Sequence, residues 1–268
     1  MKRKGIIGGT GVYDLGYHDG VTDGEMRKDV VDTPYGSVEV EILSLKDKKG
    51  EDLEIVFLPR HGKDHSAMPH MINYRANVMA MAMMGVDEIY ATCMVGSMRS
   101  QFGVGEIVTI KDFLDFTKTR PSTFFEEDEE VKHVDVSHPY CQRLRTAFYQ
   151  SADANHLRVK GGAVYVCTEG PRFESVAEIR FFQMIGGDVV GMTNVPECIL
   201  AKELGICYGA VGIVSNWAAG IGTSVQFKAL GEKLEESRRK VIQVFVDVFR
   251  SETDEEKDCD CADSVMVL

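Results

Sequence analysis

Short apolar segments alternate with helical segments along this chain, and this alternation restricts its fold more than any other feature. The segments "EDLEIVFLPR" and "VDEIYATCMVGS" have the composition of buried strands, whereas residues 71–85 carry Met and Ala at helical spacing. Strands that alternate with helices predict an α/β fold with a mainly parallel sheet. A long amphipathic helix is predicted over residues 228–251, with an inner face of Leu230, Leu234, Val241, Phe245 and Val248.

The 268 residues contain no Pro/Gly/Ser-rich linker, internal repeat or low-complexity block that would divide the chain. We therefore expect one domain over residues 1–250. Residues 251–268 are interpreted as an acidic C-terminal tail that carries a Cys-x-Cys pair.

The net charge of the chain is −12, from 42 Asp and Glu against 30 Lys and Arg. This balance disfavours nucleic-acid binding, because no basic stripe is present to neutralise phosphates. A small anion can still bind where a few cationic groups and backbone N–H donors converge. The apolar runs are too short to cross a membrane, and the N-terminus lacks a signal-peptide pattern. We therefore expect a cytoplasmic protein that does not bind membranes.

Seven cysteines and no secretory signal predict a reducing compartment and mostly buried thiols. Cys259 and Cys261 are different because they lie in the acidic tail. They could form a redox couple, bind a soft metal ion, or be two free thiols on a mobile tail. Intracellular disulfides, which occur in hyperthermophiles, also stay open.

Polar or glycine-rich turns follow five of the predicted strands, and the carboxyl ends of such strands are where ligands bind in α/β sheets. Separate parts of the chain are therefore predicted to converge on one site. The turns contain Thr10, Arg60-His61, Thr168-Glu169, Met192-Thr193 and Ser215-Asn216.

The turn "GGTG" at residues 8–11 can present backbone N–H groups and the Thr10 hydroxyl to an anion, or it can be a plain tight turn. A dinucleotide fingerprint is disfavoured, because Asp14 stands where the third glycine is required and no helix follows. Arg60 offers a planar fork for phosphate or carboxylate, and Lys63 is interpreted as exposed. A metal site at His61, His65 and His70 is disfavoured because no carboxylate or thiol lies at ligand spacing, so no metal is expected in the ligand site.

At the strand-to-helix corner "TEGPRFES", Phe173 can stack on a flat ring and Glu174 can accept from its N–H edge. The alternative makes Phe173 a hydrophobic staple and Glu174 a first-turn carboxylate of the helix. Thr193 adds a hydroxyl beside a helix N-terminus, while Met192 would ordinarily fill the core. Asn216 can read a ligand or simply cap its strand.

Taken together, "IIGGTG", "LPRHG", "MPHMINYRAN", "VGSMR", "TEGPRFES", "VVGMTNVPE" and "GIVSNWAAG" resemble the trimeric purine nucleoside phosphorylase and methylthioadenosine phosphorylase family over nearly the whole chain. The resemblance implies a mixed, mainly parallel sheet curled into a distorted barrel and flanked by helices. It also implies a cyclic homotrimer, or a dimer of trimers, with active sites at subunit boundaries. The reaction would be phosphorolysis of purine nucleosides, with inorganic phosphate as co-substrate and no cofactor.

The resemblance also assigns roles to matching positions. Met192 would lie under the ribose, Phe173 would stack on the purine, and His133 in the acidic loop would reach a neighbouring subunit's site near the 5′ end of the sugar. Residues 225–227 could line that end too. The phosphate set would comprise Thr10, Arg60, His61 and Thr193. Cys93 replaces the usual Thr or Asn, so Cys93 and its neighbour Met94 would contribute backbone at most.

Family members that prefer 6-aminopurines carry aspartates in the segment that matches Asn216-Trp217-Ala218 of this chain. An amide offers two N–H donors, which suit O6 and N7 of a 6-oxopurine, and Glu174 can accept the proton at N1. The resemblance therefore implies inosine- or guanosine-type substrates, with Asn216, Arg60 and Glu174 as the catalytic set. Methylthioinosine or methylthioadenosine phosphorolysis, nucleoside hydrolysis and nucleoside binding without turnover are the alternatives.

Overall fold

A computed structural model describes residues 2–13, 15, 24–62, 67–127, 130–222, 231–251 and 258–268. The predicted residues Asp14, Lys63, His65, Leu230 and the segment 225–227 lie outside this part of the chain. The strands are β1 (Lys2–Gly8), β2 (Glu25–Thr33), β3 (Gly36–Lys46), β4 (Asp52–Pro59), β5 (Glu88–Ser97), β6 (Ile107–Phe116), β7 (Lys132–Val134), β8 (Val159–Thr168), β9 (Val189–Gly191), β10 (Cys207–Trp217) and β11 (Val265–Val267). The α-helices are α1 (Tyr74–Met83), α2 (Gln142–Ala154), α3 (Val176–Met184), α4 (Asn194–Glu203) and α5 (Gly231–Ser251).

Nine strands form one sheet in the order β10-β6-β8-β9-β5-β1-β4-β3-β2, and β10 pairs again with β5. This second pairing closes β5, β10, β6, β8 and β9 into a barrel, from which β1, β4, β3 and β2 extend. Five of the nine strand pairs in the sheet are parallel and four are antiparallel. The fold is therefore the mixed, mainly parallel sheet, curled into a barrel and flanked by helices, that the resemblance implied.

Helix α5 covers one side of the barrel with the apolar face that its sequence predicts. Val241 and Phe245 are fully buried, and Phe245 stacks on Tyr90 of β5 with ring centroids 4.5 Å apart. Burying a phenylalanine side chain contributes about 1.5–3 kcal/mol. None of the described helices is both long enough and apolar enough to cross a bilayer.

The acidic segment near residue 130, expected to be an irregular surface loop, instead contains strand β7. This strand pairs in antiparallel fashion with β11 at the C-terminus, and His133 lies opposite Met266. Cys261 is buried, and the Ser264 hydroxyl donates to the Lys202 carbonyl at 2.9 Å. Residues 258–268 are thus attached to the domain, so the picture of two thiols on a mobile tail is wrong.

Candidate active site

The candidate site lies beside the middle of β5, in a gap between the two strands, β1 and β9, that pair with the same edge of β5. The pairing of β1 with β5 ends at Ile7–Ala91, and β9 joins the same side of β5 only at Gly96 and Ser97. Between these points, Cys93, Met94 and Val95 line a pocket of about 290 Å³, while the other edge of β5 stays paired with β10. This volume is at the lower end of the range for small-molecule sites.

The pocket is built at the ends of β1, β4, β9 and β10, on β5, and at the corner between β8 and α3. Its lining residues are Thr10, Arg60, His61, Pro69, Cys93, Met94, Val95, Gly96, Phe173, Glu174, Val190, Gly191, Met192, Thr193, Ser215 and Asn216. Ten of the sequence-predicted site residues are therefore brought together. Trp217, Ala218 and His133 are not among the residues that line it.

Arg60 is completely enclosed, and its fork binds a carboxylate of the protein. Nε and Nη2 of Arg60 each donate to Glu197 of α4 at 2.7 Å, and Nη1 donates to the Thr92 carbonyl at 2.8 Å. The Tyr208 hydroxyl donates to the same carboxylate. Burial opposes the charged guanidinium, but the adjacent Glu197 raises the pKa of Arg60 above its ordinary value. The guanidinium therefore stays charged.

This pairing changes the expected role of Arg60 in anion binding. A guanidinium has five N–H donors, and the protein contacts above use three of them. Two donors are left for a ligand, but the positive charge is already balanced by Glu197. Sequence reasoning missed Glu197, although its charge stands out in "NVPECILA", where its neighbours are apolar.

The glycine turn also differs from a simple nest of inward-pointing amides. The Gly9 N–H donates to the Thr92 hydroxyl at 2.8 Å, and the Val12 N–H donates to the Gly9 carbonyl at 2.9 Å. A Cβ at Gly9 would lie 2.5 Å from the Thr92 carbonyl oxygen and 2.9 Å from Nη1 of Arg60. Glycine is required there because the turn packs directly against the Arg60 fork.

Cys93 and Met94 lie within strand β5, as the buried-strand composition of "VDEIYATCMVGS" predicts. Cys93 is buried and receives a hydrogen bond from the Asn194 amide at 3.5 Å. Burial raises the pKa of the Cys93 thiol to about 12, so the side chain is a neutral thiol at physiological pH. Thr193 precedes α4, makes no capping hydrogen bond with its side chain, and lines the pocket.

Glu174 and Phe173 line the pocket from the corner between β8 and α3. Helix α3 begins after Ser175, and Glu178 is the carboxylate of its capping box. Glu174 is therefore not a first-turn carboxylate, and the helix-terminus interpretation of it is wrong. One Glu174 oxygen accepts from the Thr168 hydroxyl at 2.7 Å, while Phe173 is 61% exposed at the pocket rim.

The amide of Asn216 is oriented by its neighbours. Oδ1 accepts from the Ser215 hydroxyl at 2.7 Å, and Nδ2 donates to the Trp217 carbonyl at 2.9 Å. Because a carbonyl oxygen can only accept, Nδ2 must be the atom that faces it. One N–H of Nδ2 is used in this way, so a single N–H, not two, can donate to a ligand without rearrangement.

Three predicted residues lie elsewhere. Ala218 is buried in a small core with Val166 and Ile179, and Trp217 packs beside Gly222. His133 is exposed on β7 and contributes nothing to the pocket of its own chain. The role that the resemblance gives His133 in a neighbouring subunit stays a prediction.

Arg120 is a second residue that sequence reasoning missed. Its Nη1 donates to the carbonyls of Met192 at 2.6 Å and Val195 at 3.0 Å. Its Nη2 donates to the carbonyls of Thr168 at 3.1 Å and Glu169 at 2.7 Å. Arg120 thus ties the end of β8 to the β9–α4 turn, the two segments that carry Glu174 and Thr193.

Arg120→Met is expected to lower the free energy of unfolding by about 3 kcal/mol or more, because four buried or partly buried carbonyls lose a charged donor. Urea denaturation measures the change. Arg75→Met is the matched control, since Arg75 makes a more exposed ion pair with Glu126 and should cost less than about 1 kcal/mol. Equal losses in both variants would contradict the role given to Arg120.

The fold and the pocket define an α/β protein that binds a small ligand at its strand ends. The family described as the Phosphorylase superfamily matches residues 4–250, and the chain belongs to it. The 6-oxopurine nucleoside phosphorylase of Pyrococcus furiosus is 40% identical over an alignment that covers 99% of this chain and 98% of that protein.

Two further similar proteins have names that contain other substrates. A protein of Methanothermobacter thermautotrophicus named "Probable S-methyl-5'-thioinosine phosphorylase" is 43% identical over 96% of this chain and 86% of its own length. The structure of methylthioadenosine phosphorylase from Schistosoma mansoni in complex with adenine matches with a TM-score of 0.82 and 27% identity, over 93% of this chain and 91% of that one.

Proposed function

We propose that the protein is a purine nucleoside phosphorylase that cleaves the N-glycosidic bond of 6-oxopurine nucleosides with phosphate. The products would be the free purine and a pentose 1-phosphate. The observation that carries the substrate class is the pairing of an amide donor, Asn216, with a carboxylate acceptor, Glu174, in the lining of one pocket. The name of the Pyrococcus furiosus relative, which contains the same substrate class, supports this choice.

Phosphate would bind at the end of the pocket formed by Thr10, Arg60, His61 and Thr193. Because Glu197 balances the Arg60 charge, recognition there relies on directed N–H and O–H donors more than on net positive charge. His61 is oriented by Nδ1, which lies 2.9 Å from the Ala67 carbonyl and donates to it. Bound phosphate would itself attack the anomeric carbon, so no side-chain nucleophile is needed, in keeping with the neutral Cys93 thiol.

The leaving purine accumulates negative charge as the glycosidic bond breaks. The Asn216 N–H that does not bind Trp217 would donate to N7 or O6 of the base. The Glu174 oxygen that does not bind Thr168 would accept from N1–H, and Phe173 would cover the ring. A preorganised donor of this kind contributes about 2.7–4 kcal/mol to transition-state stabilisation.

S-methyl-5'-thioinosine is a second candidate substrate, supported by the name of the Methanothermobacter thermautotrophicus relative. Its base presents the same hydrogen-bonding edge, so Asn216 and Glu174 do not discriminate between the two. We also propose a homotrimer, because the family resemblance places His133 in a neighbour's site and His133 is exposed on β7. Light scattering measures the mass of the assembly.

A phosphorolysis panel tests the proposed function. Inosine, guanosine, adenosine, methylthioinosine and methylthioadenosine are incubated with the protein, with and without phosphate, and release of free purine is measured. We expect rapid release from the 6-oxopurine nucleosides only when phosphate is present. Release without phosphate would indicate a hydrolase, and binding of inosine without release would indicate a nucleoside-binding protein.

A further inference from the structure

Four cysteines converge at the junction between the domain and its C-terminal segment, away from the proposed active site. Cys141 precedes helix α2, Cys207 begins strand β10, and Cys259 and Cys261 come from the C-terminal segment. Their four Sγ atoms all lie within 4.8 Å of one another. Among the described residues, they form the only group of three or more metal-binding side chains with ligand atoms this close together.

We propose that these four cysteines bind one Zn²⁺ ion. Structural zinc sites are tetrahedral with Zn–S distances of about 2.3 Å, so neighbouring sulfurs stand about 3.8 Å apart. Sγ of Cys207 and Sγ of Cys259 are 3.4 Å apart, and the widest separation stays below 4.8 Å. Shifts of less than about 1 Å would therefore bring all four sulfurs to the distances of a Zn–Cys₄ site.

Binding replaces four S–H bonds by four Zn–S bonds and releases four protons, which leaves a cluster of charge −2. Cys141 lies at the N-cap of α2, a helix of 13 residues, so the positive end of the helix dipole points toward its sulfur. His138 and Arg143 line the cavity beside the cluster, as do the acids Asp258 and Asp260. Because the charges of the side chains oppose one another, the helix N-terminus is the main source of positive potential.

The site would join three parts of the chain that are distant in sequence. The Cys141 N–H already donates to the Tyr208 carbonyl at 2.8 Å, which places α2 against β10. Cys261 begins the short 3₁₀ helix Cys261–Asp263, which leads directly into β11. A metal ion held by these thiols would therefore fasten the C-terminal strand to the barrel, and the ion would have a structural role with no open position for substrate.

The first test uses the unmodified protein, purified under reducing conditions without chelator. Mass spectrometry of the metal content should give about one zinc ion per chain. Alkylation after denaturation with a chelator and without reductant should then modify all seven cysteines. Removal of zinc should lower the thermal midpoint, Zn²⁺ should restore it, and Co²⁺ should give the intense absorption of a tetrahedral thiolate complex.

The second test uses Cys259→Ser, because Cys259 is the least buried of the four thiols. Its zinc content should fall at least about fivefold. Cys198→Ala is the matched control, since Cys198 is buried in α4 and does not belong to the cluster. It should keep its zinc.

Two outcomes would overturn the proposal. One is seven alkylated thiols in a protein without bound metal, which would make the cluster four ordinary buried thiols. The other is fewer than seven alkylated thiols, which would show disulfides within the cluster. Both can be read from the wild-type protein, even if Cys259→Ser fails to fold.

Discussion

Asn216→Asp is expected to lower kcat/KM for inosine by about two orders of magnitude or more, the scale of one lost transition-state donor. In the wild type, Nδ2 of Asn216 faces the Trp217 carbonyl at 2.9 Å. A carboxylate oxygen in the same place would face the Trp217 carbonyl oxygen, and since both atoms only accept hydrogen bonds, they would repel each other. The new side chain must rotate away or use a proton to satisfy Trp217, and in either case the donor to the base is lost.

Glu174→Gln tests the other half of the recognition. The glutamine carbonyl can keep the hydrogen bond from the Thr168 hydroxyl, while its NH₂ group replaces the oxygen proposed to accept from N1–H. That NH₂ would oppose N1–H of inosine but can donate to N1 of adenosine. Sites that rely on such hydrogen bonds can discriminate by up to about 10⁴–10⁵, so the inosine-to-adenosine ratio of kcat/KM should fall by about 10² or more.

Glu178→Gln is the matched control for this substitution. Glu178 lies in the first turn of α3, four residues after Glu174, and serves the capping box with Ser175, a role that glutamine also fills. The inosine-to-adenosine ratio should stay at the wild-type value in this variant. Preference of the wild type for adenosine, or a ratio that ignores both Asn216→Asp and Glu174→Gln, would show that these two residues do not read the base.

Arg60→Ala should raise the KM for phosphate steeply and should also destabilise the fold by about 3–5 kcal/mol, because Glu197 is left buried without its ionic partner. Phosphate titration of the initial rate measures the first effect, and urea denaturation measures the second. A phosphate KM equal to that of the wild type would show that the anion does not bind at Arg60.

Glu197→Gln makes the opposite change, since it keeps an acceptor for Tyr208 but leaves the Arg60 charge unbalanced. Without phosphate, this variant should lose about 3–5 kcal/mol of stability. Bound phosphate can then supply the missing negative charge, so phosphate should raise the thermal midpoint more in Glu197→Gln than in the wild type.

The control for Glu197→Gln is Glu54→Gln on β4. Glu54 is also a buried carboxylate in an ion pair, with Arg3 and Arg27, but it lies outside the pocket lining. Loss of the Glu54 carboxylate should lower stability, but the rise in thermal midpoint on addition of phosphate should equal that of the wild type. If phosphate stabilised both variants to the same extent, the Arg60–Glu197 pair would not be part of the anion site.

Much of the fold and of the pocket could be predicted from the sequence because the signals are local. The end of a buried strand can be recognised where apolar residues are followed by polar ones, as at Arg60 and Asn216. Parallel strands bring such ends to the same edge of the sheet. The family motifs added the closure of the barrel, which strand periodicity does not contain.

The remaining features depend on contacts between distant segments. β7 could not be recognised because its partner β11 lies about 130 residues further along the chain. Arg120 has no local pattern that distinguishes a buried charge from one on the surface, and the apolar neighbours of Glu197 indicate its burial but not its partner Arg60. The second N–H expected of Asn216 is used by the carbonyl of the next residue, and this geometry exists only once the strand is built.

The pairing of β10 with β5, which closes the barrel, also determines when the protein can fold during its synthesis. The two strands are joined by pairs such as Val211–Thr92, about 120 residues apart, so this pairing carries a large loop-closure cost. A nascent chain on the ribosome cannot form the pocket until residues near 217 have emerged, and until then β5 exposes an apolar edge ready to pair with other strands. A translation product that stops before β10 would therefore be inactive and prone to aggregation, and it would be expected to bind chaperones.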